Sequence, residues 1–320
     1  MESRGALRIM KISAVLIFAL AVLIQPFTQA SAQQVQPAPL SIGIFADADS
    51  LPLIVADNEG LFQKEGISVK LVRFSSAIER DSALQAGKID GAVTDVLAVI
   101  LANQGGFPLK ITSLTNGRYG VAVSPKSNIQ SMKELEGKSV AVSLNTIIHY
   151  FADWSAREAG LKGDSLNLVP VPKMPVRLEM LLSDQIPAAV MPEPFLTTAK
   201  LRGAKILVSS DDSGLEAGVL AFPPSVIAKN ADTLKRFYRA YWNAAQRINA
   251  QPDQYRNMLI ESLSFPDEAA RVFVFPRYVK PRLPVQTSIE TAAQWLLSKA
   301  LIKALPKTAD LVDASMVTGW

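Results

Sequence analysis

The chain has 320 residues, of which 49% are hydrophobic and 19% are charged, with 33 Lys and Arg, 29 Asp and Glu, one His and no Cys. This composition excludes a disordered chain, a disulfide scaffold and a metal site built on cysteine. At roughly 100–200 residues per domain, the length predicts a folded protein with two domains or two lobes.

The amino terminus predicts a cleavable signal peptide over residues 1–32. Three basic residues precede a largely apolar, uncharged stretch over residues 12–24, which is shorter than the roughly 20 residues that span a bilayer. A small-x-small pattern ends at Ala32, so we predict cleavage after Ala32. The alternative interpretation of the same stretch is an uncleaved membrane anchor.

Cleavage would remove three basic residues and one acidic residue, leaving 30 Lys and Arg against 28 Asp and Glu. This nearly neutral charge balance and the absence of a basic stripe argue against nucleic acid as a partner. The absence of Cys also excludes a lipid-modified cysteine anchor. We therefore expect a monomeric protein in the periplasm.

After a polar linker at residues 33–39, short apolar runs alternate with amphipathic stretches, which predicts an α/β fold with mostly parallel sheets flanked by helices. The first series gives strands at 40–45, 67–74 and 89–93, with helices at 51–58 and 77–86. The second series gives strands at 139–142, 166–169, 188–191 and 205–208, with helices at 146–159, 176–183 and 194–200.

The two series predict two lobes joined by two crossing segments. We assign residues 40–118 and 221–320 to lobe 1 and residues 119–220 to lobe 2, with a two-strand hinge near 118–123 and 216–222. Long helices at 232–250, 252–263 and 288–300 are predicted to return to lobe 1. The apolar series from Leu234 to Ala245 has helical spacing and indicates packing, not a ligand site.

Four loops follow predicted strands and precede predicted helices, where unpaired N–H groups of helix amino termini point into a crevice. Each loop supplies Ser, Thr, Asp or Asn, so each is also explained by ordinary helix capping. Their occurrence in both lobes favours a shared cleft. The loop residues are Asp47, Asp49 and Ser50, then Ser75 and Ser76, then Thr94 and Asp95, and finally Asn145 and Thr146.

Three segments resemble the solute-binding proteins of nitrate, sulfonate, taurine and thiamine-precursor ABC importers. They are PLIVADNEGLFQKEGISV at 52–69, ALQAGKIDGA at 83–92 and QIPAAVMPEPF at 185–195. In the last segment Pro187 stands where the family usually has Asp. The resemblance covers about residues 40–212, and several segments in the right order are more specific than any one of them.

This resemblance implies the two-lobed type II periplasmic binding fold and a receptor that is not an enzyme. Such a receptor encloses a small solute between its lobes and delivers it to a membrane permease powered by a cytoplasmic ATPase. It implies no cofactor and no metal. The alternatives are a biosynthetic enzyme on the same fold, or a solute sensor for a signalling receptor.

The candidate solute contacts extend beyond the four loops. Arg118 and Tyr119 lie near the predicted hinge, His149 one turn inside a helix, and Glu193 and Phe195 on the resembling segment of lobe 2. Hydroxyls and helix N–H groups could hold the oxygens of an anion. Unless Arg118 or Arg177 faces them, the crowded acids favour an organic solute with a donor or cationic nitrogen, such as a taurine-like aminosulfonate or an amino-heterocycle like a thiamine-precursor pyrimidine. We predict that Phe45 belongs to the core and that Arg177 lies on the surface.

Overall fold

The structure is a computed structural model that describes residues 39–318, without the side chain of Asp212. The predicted signal peptide, its cleavage after Ala32 and the linker up to residue 38 lie outside the described residues. Within the described range, no helix is both long enough and apolar enough to cross a membrane.

Five strands form the first sheet, and helices cover its two faces. The strands are β1 (Leu40–Ile44), β2 (Val69–Arg73), β3 (Gly91–Asp95), β4 (Lys110–Leu114) and β10 (Gly218–Phe222), and the helices that connect them are α1 (Leu51–Asn58), α2 (Leu61–Lys64), α3 (Ala77–Gln85) and α4 (Val96–Gln104). Their order is β2-β1-β3-β10-β4. Only β10 runs antiparallel to its neighbours.

The second sheet repeats this arrangement. Its strands are β5 (Tyr119–Val123), β6 (Ser139–Val142), β7 (Asn167–Pro170), β8 (Ala188–Pro192) and β9 (Lys205–Ser209), and its helices are α5 (Ile147–Glu158), α6 (Met174–Leu182) and α7 (Phe195–Leu201). The order is β7-β6-β8-β5-β9, with β5 antiparallel to its neighbours. In each sheet, four strands run in the same direction and one runs opposite to them. The prediction of mostly parallel sheets is therefore confirmed.

The chain passes between the sheets twice, in the segments 115–118 and 210–217. These segments lie before the strands that the sequence suggested as crossings. β5 hydrogen-bonds wholly within the second sheet and β10 wholly within the first, so residues 218–220 belong with lobe 1 and not with lobe 2.

The carboxyl-terminal part consists of helices and irregular segments. The helices are α8 (Pro224–Lys229), α9 (Ala231–Ala250), α10 (Arg256–Leu263), α11 (Asp267–Val272), α12 (Gln286–Ser298) and α13 (Thr308–Leu311). The long α9 packs against α1 and α2, and the side chains of Leu234, Phe237 and Tyr241 are buried there. The interpretation of this series as a packing stripe is therefore confirmed.

Not all of this part covers lobe 1. α12 packs on α4 of lobe 1, but α11 packs on α7 of lobe 2. The apolar core between α4, α5 and α12 is also continuous across the two lobes. The carboxyl-terminal helices therefore contact both lobes, which amends the expectation that they return to lobe 1 alone.

Candidate ligand-binding site

A cavity of about 50 Å³ lies between the carboxyl ends of strands of the two sheets, and we call it the inner chamber. Lobe 1 contributes loops after β1, β2 and β3, and lobe 2 contributes loops after β6 and β7. The fold thus brings together loops that are far apart in sequence. The predicted site residues on its lining are Asp47, Asp49, Ser76, Thr94, Asp95, Tyr119 and Thr146.

The same loops also cap helices. The side chains of Asp47, Ser76, Asp95 and Thr146 each accept a hydrogen bond from a backbone N–H in the first turn that follows. Asp95 Oδ1, for example, accepts from the Ala98 N–H at 2.8 Å. Both interpretations of the loops therefore apply, and the caps use up donors that could otherwise hold an anion.

Three buried carboxyl groups face the inner chamber. Burial raises the pKa of Asp47, although hydrogen bonds from Ser50 partly oppose this shift. Burial and the neighbouring charge of Asp47 also raise the pKa of Asp49. Burial raises the pKa of Asp95 as well, and the charge of Arg80 partly offsets it. Each carboxylate is therefore costly to ionise in the closed cleft unless a cation accompanies it.

Three polar side-chain atoms on this lining have no hydrogen-bond partner among residues 39–318, and one of them, Arg80 Nη2, lies 2.7 Å from Asp81 Oδ1 in an ion pair. The other two are Asp49 Oδ1 and Thr94 Oγ1, and both side chains are 5% exposed. Buried polar atoms are nearly always hydrogen-bonded, and an unpaired one costs about 1–3 kcal/mol. An acceptor and a hydroxyl thus remain available to a bound molecule in the inner chamber.

Hydrogen bonds join the two lobes at the lining itself. The Ile147 N–H at the start of α5 donates to Asp95 Oδ2 at 3.3 Å, and the Tyr119 hydroxyl donates to Asp49 Oδ2 at 3.1 Å. Both contacts run from lobe 2 to an acid of lobe 1. Two acids of lobe 1 are therefore in direct hydrogen-bond contact with lobe 2.

Two buried arginines flank the inner chamber. Arg80 donates to the Val93 carbonyl and pairs with Asp81, and its guanidinium lies 4.8 Å from the ring centre of Phe45. Arg177 is 0% exposed, so its predicted surface position is wrong. The reason is that its guanidinium donates to backbone carbonyls, which the sequence alone does not bring together.

The position of Arg80 was not predicted and Arg177 was predicted on the surface, although the sequence contains a repeat that relates the two residues. The pairs Arg80 and Arg177, Leu84 and Leu181, Ile89 and Ile186, and Val93 and Val190 all share one spacing along the chain. This internal repeat identifies equivalent positions in the two lobes. Phe45, which was predicted to belong to the core, is half-buried and lines the inner chamber.

Arg118 lies away from the inner chamber, in the first crossing segment. Its Nε donates to Asp211 Oδ1 at 2.6 Å, its Nη2 pairs with the other oxygen of Asp211, and its Nη1 donates to the Val274 carbonyl at 2.6 Å. Asp211 belongs to the second crossing segment. Arg118 therefore ties the two crossings together and is not free to neutralise the acids of the cleft.

Several other predicted contacts lie beside the inner chamber and not on its lining. Ser50 donates its hydroxyl to Asp47, and Ser75 donates its hydroxyl to the Glu79 carboxylate. Phe195 packs partly against the core of lobe 2.

Glu193 also lies off the lining of the inner chamber. Its carboxylate accepts a hydrogen bond from the Thr197 N–H at 3.0 Å. Burial raises the pKa of Glu193. Its backbone carbonyl accepts from the Ala48 N–H of lobe 1 at 3.4 Å. Glu193 therefore contributes to contact between the lobes through its main chain.

His149 forms part of a contact between the lobes outside the inner chamber. Its Nδ1 accepts from the Asn145 N–H at 3.2 Å, and its ring lies edge-on to Trp295 of α12 with centroids 4.7 Å apart. Trp295 donates to Asp153 at 3.1 Å, and Lys299 lies 2.6 Å from the same carboxylate. Burial lowers the pKa of His149.

The described residues contain no group of three or more His, Asp and Glu side chains placed to hold a metal ion. The lining offers hydroxyls, carboxyls and apolar walls. Such a set of groups is suited to binding an organic molecule by hydrogen bonds and contact.

A family model described as NMT1/THI5 like matches residues 47–255, which include every lining residue of the inner chamber except Phe45. The chain belongs to the NMT1/THI5-like family. The resemblance seen in the three sequence segments is thereby confirmed. Riboflavin-binding protein RibY of Chloroflexus aurantiacus is a relative with 26% identity over 262 residues, covering 76% of this chain and 73% of RibY.

Solved structures of binding proteins share the fold of this NMT1/THI5-like chain. The alkanesulfonate-binding protein SsuA from Xanthomonas axonopodis pv. citri, bound to MOPS, superposes with a TM-score of 0.76 at 17% identity, covering 87% of this chain and 99% of SsuA. SsuA from Escherichia coli gives a TM-score of 0.71 at 18% identity, covering 87% and 98%. The predicted two-lobed periplasmic binding protein fold is confirmed.

Proposed function

We propose that this protein is the periplasmic solute receptor of an ABC importer, acting as a monomer that delivers its solute to a membrane permease with a cytoplasmic ATPase. The observation that carries the proposal is a cavity lined by loops of both lobes, with lobe-to-lobe hydrogen bonds at its wall. A solute held there contacts both lobes at once. It therefore favours the closed state by its differential affinity for that state.

The lining favours a solute with a cationic nitrogen. Asp47, Asp49 and Asp95 face the inner chamber, whereas Arg80 and Arg177 are already engaged with carbonyl groups and Asp81. A cation would lower the cost of ionising the acids and would supply a donor to Asp49 Oδ1. A bare nitrate or sulfate would meet the acids without a free arginine.

The named relatives support an organic solute over an inorganic one. RibY is named for riboflavin, and the SsuA structure from Xanthomonas holds MOPS. Within this range, the acidic lining favours an amino-heterocycle, such as a thiamine-precursor pyrimidine, over a sulfonate. An aminosulfonate such as taurine meets the acids with its amine and is the next candidate.

Two features argue against catalysis on this fold. The one histidine of the chain lies off the inner chamber, and its Nδ1 accepts from the Asn145 N–H, so it is not held by a carboxylate as a catalytic base would be. The acids of the lining cap helices and join the lobes. We therefore propose a receptor; presentation to a signalling partner instead of a permease would use the same closure.

The experiment is a thermal-shift screen followed by calorimetry on the purified protein. The panel contains taurine, alkanesulfonates, nitrate, polyamines, riboflavin, and amino-pyrimidine precursors of thiamine. A ligand at about a hundred times its Kd adds roughly 2.7 kcal/mol to the free energy of unfolding, which shifts Tm by several degrees. We expect hits among compounds with a cationic nitrogen.

Asp49→Asn is the matched test of the acidic lining. The variant keeps the shape of the side chain but loses the charge, and we expect amine affinity to fall by at least tenfold. Asp267→Asn, at a side chain that is 66% exposed, serves as the control and should bind as the wild type does. Tight binding of nitrate or sulfate, unaffected by Asp49→Asn, would reject the amine specificity while leaving the receptor function in place.

A further inference from the structure

A second, larger cavity shares part of its lining with the inner chamber, and we call it the outer chamber. Its volume is about 500 Å³. Helices α3 and α4 of lobe 1 form one wall, and the loops that precede α5 and α6 in lobe 2 form the other. The outer chamber therefore lies in the same cleft and is divided between the same two lobes.

The two chambers adjoin each other. Ala77, Thr146 and Pro172 line both of them. Ala77 and Thr146 are buried, whereas Ile78 and Leu144 farther out on the outer chamber are 63% and 42% exposed. The outer chamber therefore extends from the buried lining that it shares with the inner chamber to exposed side chains.

The chambers differ in chemistry. The outer wall is mainly apolar, and its large apolar side chains include Ile78, Leu101, Phe107 and Leu144. Its one charged side chain, Asp81, pairs with Arg80. The unpaired Asp49 Oδ1 and Thr94 Oγ1 lie on the inner chamber only. Large exposed apolar side chains at a cleft mouth indicate a contact surface.

Size separates what each chamber can hold. A cavity of about 150 Å³ is known to hold one benzene molecule, and one water needs about 10–15 Å³. At about 50 Å³, the inner chamber takes an ammonium or amidine group and not a ring. At about 500 Å³, the outer chamber takes a ring system or a branched chain.

We propose that the cleft recognises a two-part ligand, with a cationic nitrogen in the inner chamber and an apolar ring or chain in the outer chamber. The inference rests on the proposed receptor function and specifies its substrate class. The apolar ring of the ligand packs against α3 and α4 of lobe 1 on one side and against Leu144 of lobe 2 on the other. Small polar amines such as taurine lack this second part and are expected to bind more weakly than amines that carry a ring.

The test is calorimetry on the full protein with a matched series of ligands. Methylamine, benzylamine and 2-phenylethylamine vary the apolar part, and benzyl alcohol removes the charge from the ring compound. Each buried methylene group strengthens binding roughly fourfold. We expect the ring amines to bind at least tenfold more tightly than methylamine and at least tenfold more tightly than benzyl alcohol.

Two variants locate the parts of the ligand. Ala102→Phe fills the outer chamber from α4, so it should weaken ring-amine binding at least tenfold and leave methylamine binding unchanged. Leu305→Ala is the control, because Leu305 is 52% exposed in a different groove. Thermal melts of both variants establish that they fold, and Leu144→Ala gives a second, smaller loss of ring-amine affinity without adding bulk.

The outcomes are distinct. If methylamine and the ring amines bind equally, and Ala102→Phe affects neither, the two-part ligand is wrong while the amine receptor stands. If benzyl alcohol binds as tightly as benzylamine, the assignment of the cation to the inner chamber is wrong. If no amine binds and another class of solute does, the amine specificity and the two-part ligand both fall.

Discussion

The two lobes are built alike and differ in charge. Arg80 and Arg177 are each the fourth residue of a helix, in α3 and α6, and each donates from Nη1 to a carbonyl of the following strand, 13 residues later in the chain. Both side chains are almost fully buried. The same construction therefore holds a helix to its sheet beside the cleft in both lobes.

The surroundings of the two arginines are different. Arg80 pairs with Asp81 and interacts with the acids Asp47 and Asp95. Arg177 has backbone carbonyls only, and burial lowers its pKa to about 10. The comparison shows that lobe 1 supplies the acidic groups of the site, whereas lobe 2 supplies N–H groups, hydroxyls, apolar walls and one guanidinium that is held by carbonyls.

The largest expected effect comes from removing the two arginines in turn. Arg177→Met removes three hydrogen bonds to backbone carbonyls and should lower the free energy of unfolding by about 3 kcal/mol. Arg80→Met loses one carbonyl bond and an ion pair that is open to water on the Asp81 side, and should cost about 2 kcal/mol.

Urea unfolding measures both changes. Arg202→Met, which removes an exposed ion pair with Glu179, is the control and should stay within about 0.5 kcal/mol of the wild type. A larger loss for Arg80→Met than for Arg177→Met would contradict the view that carbonyl pairing dominates the stability of both positions.

The second prediction concerns pH. The pKa of Asp49 is raised from 3.8 to about 8, so the folded protein retains a proton that the unfolded chain releases above about pH 4. The contribution of Asp49 to the free energy of unfolding therefore falls as pH rises from about 4 to about 8. Asp49→Asn lacks this titration. Its free energy of unfolding, relative to that of the wild type, should therefore rise by at least about 1.4 kcal/mol between pH 5 and pH 8.

Urea unfolding at the two pH values measures this gain. Asp267→Asn, on the surface, should keep a constant difference from the wild type. A difference between Asp49→Asn and the wild type that did not change with pH would show that the acids of lobe 1 ionise freely, and the contrast between the lobes would then lose its electrostatic basis.

The smallest effect is expected at the contact of α12 with lobe 2. Lys299→Met removes the ion pair with Asp153 and its second partner Asp164, and should lower the free energy of unfolding by about 0.5–1 kcal/mol. Because the pair joins the lobes, the same variant should shift small-angle scattering towards a more open form. Asp310→Asn gives the reference for a surface charge, and an unchanged scattering curve would show that the pair does not hold the lobes together.

Much of the fold could be predicted from the sequence, because periodicity is local. The helix at 51–58 and the strand at 139–142 have the predicted bounds. The helix α4 and the strand β4 were not identified. Residues 92–101 are apolar on all sides apart from Thr94 and Asp95, so the run shows no change of period where β3 ends and α4 begins.

The candidate site was predictable in part for the same reason. Loops that end strands and start helices carry a local signature, and Asp47, Ser76, Asp95 and Thr146 were found by it. Which side chain turns towards the cavity depends on partners far along the chain. Arg118, for instance, finds Asp211 at a separation of 93 residues, and that contact has no local signal.

The edge-on contact between Trp295 and His149 gives the protein an optical reporter of its own. Indole emission depends on the polarity and the quenching groups around the ring, and here those groups belong to the opposite lobe. Separation of the lobes would expose the indole to water and remove its imidazole neighbour. Stopped-flow recording of tryptophan fluorescence could therefore follow solute capture in real time without an attached dye, and Trp295→Phe, which keeps the other three tryptophans of the chain, gives the reference signal.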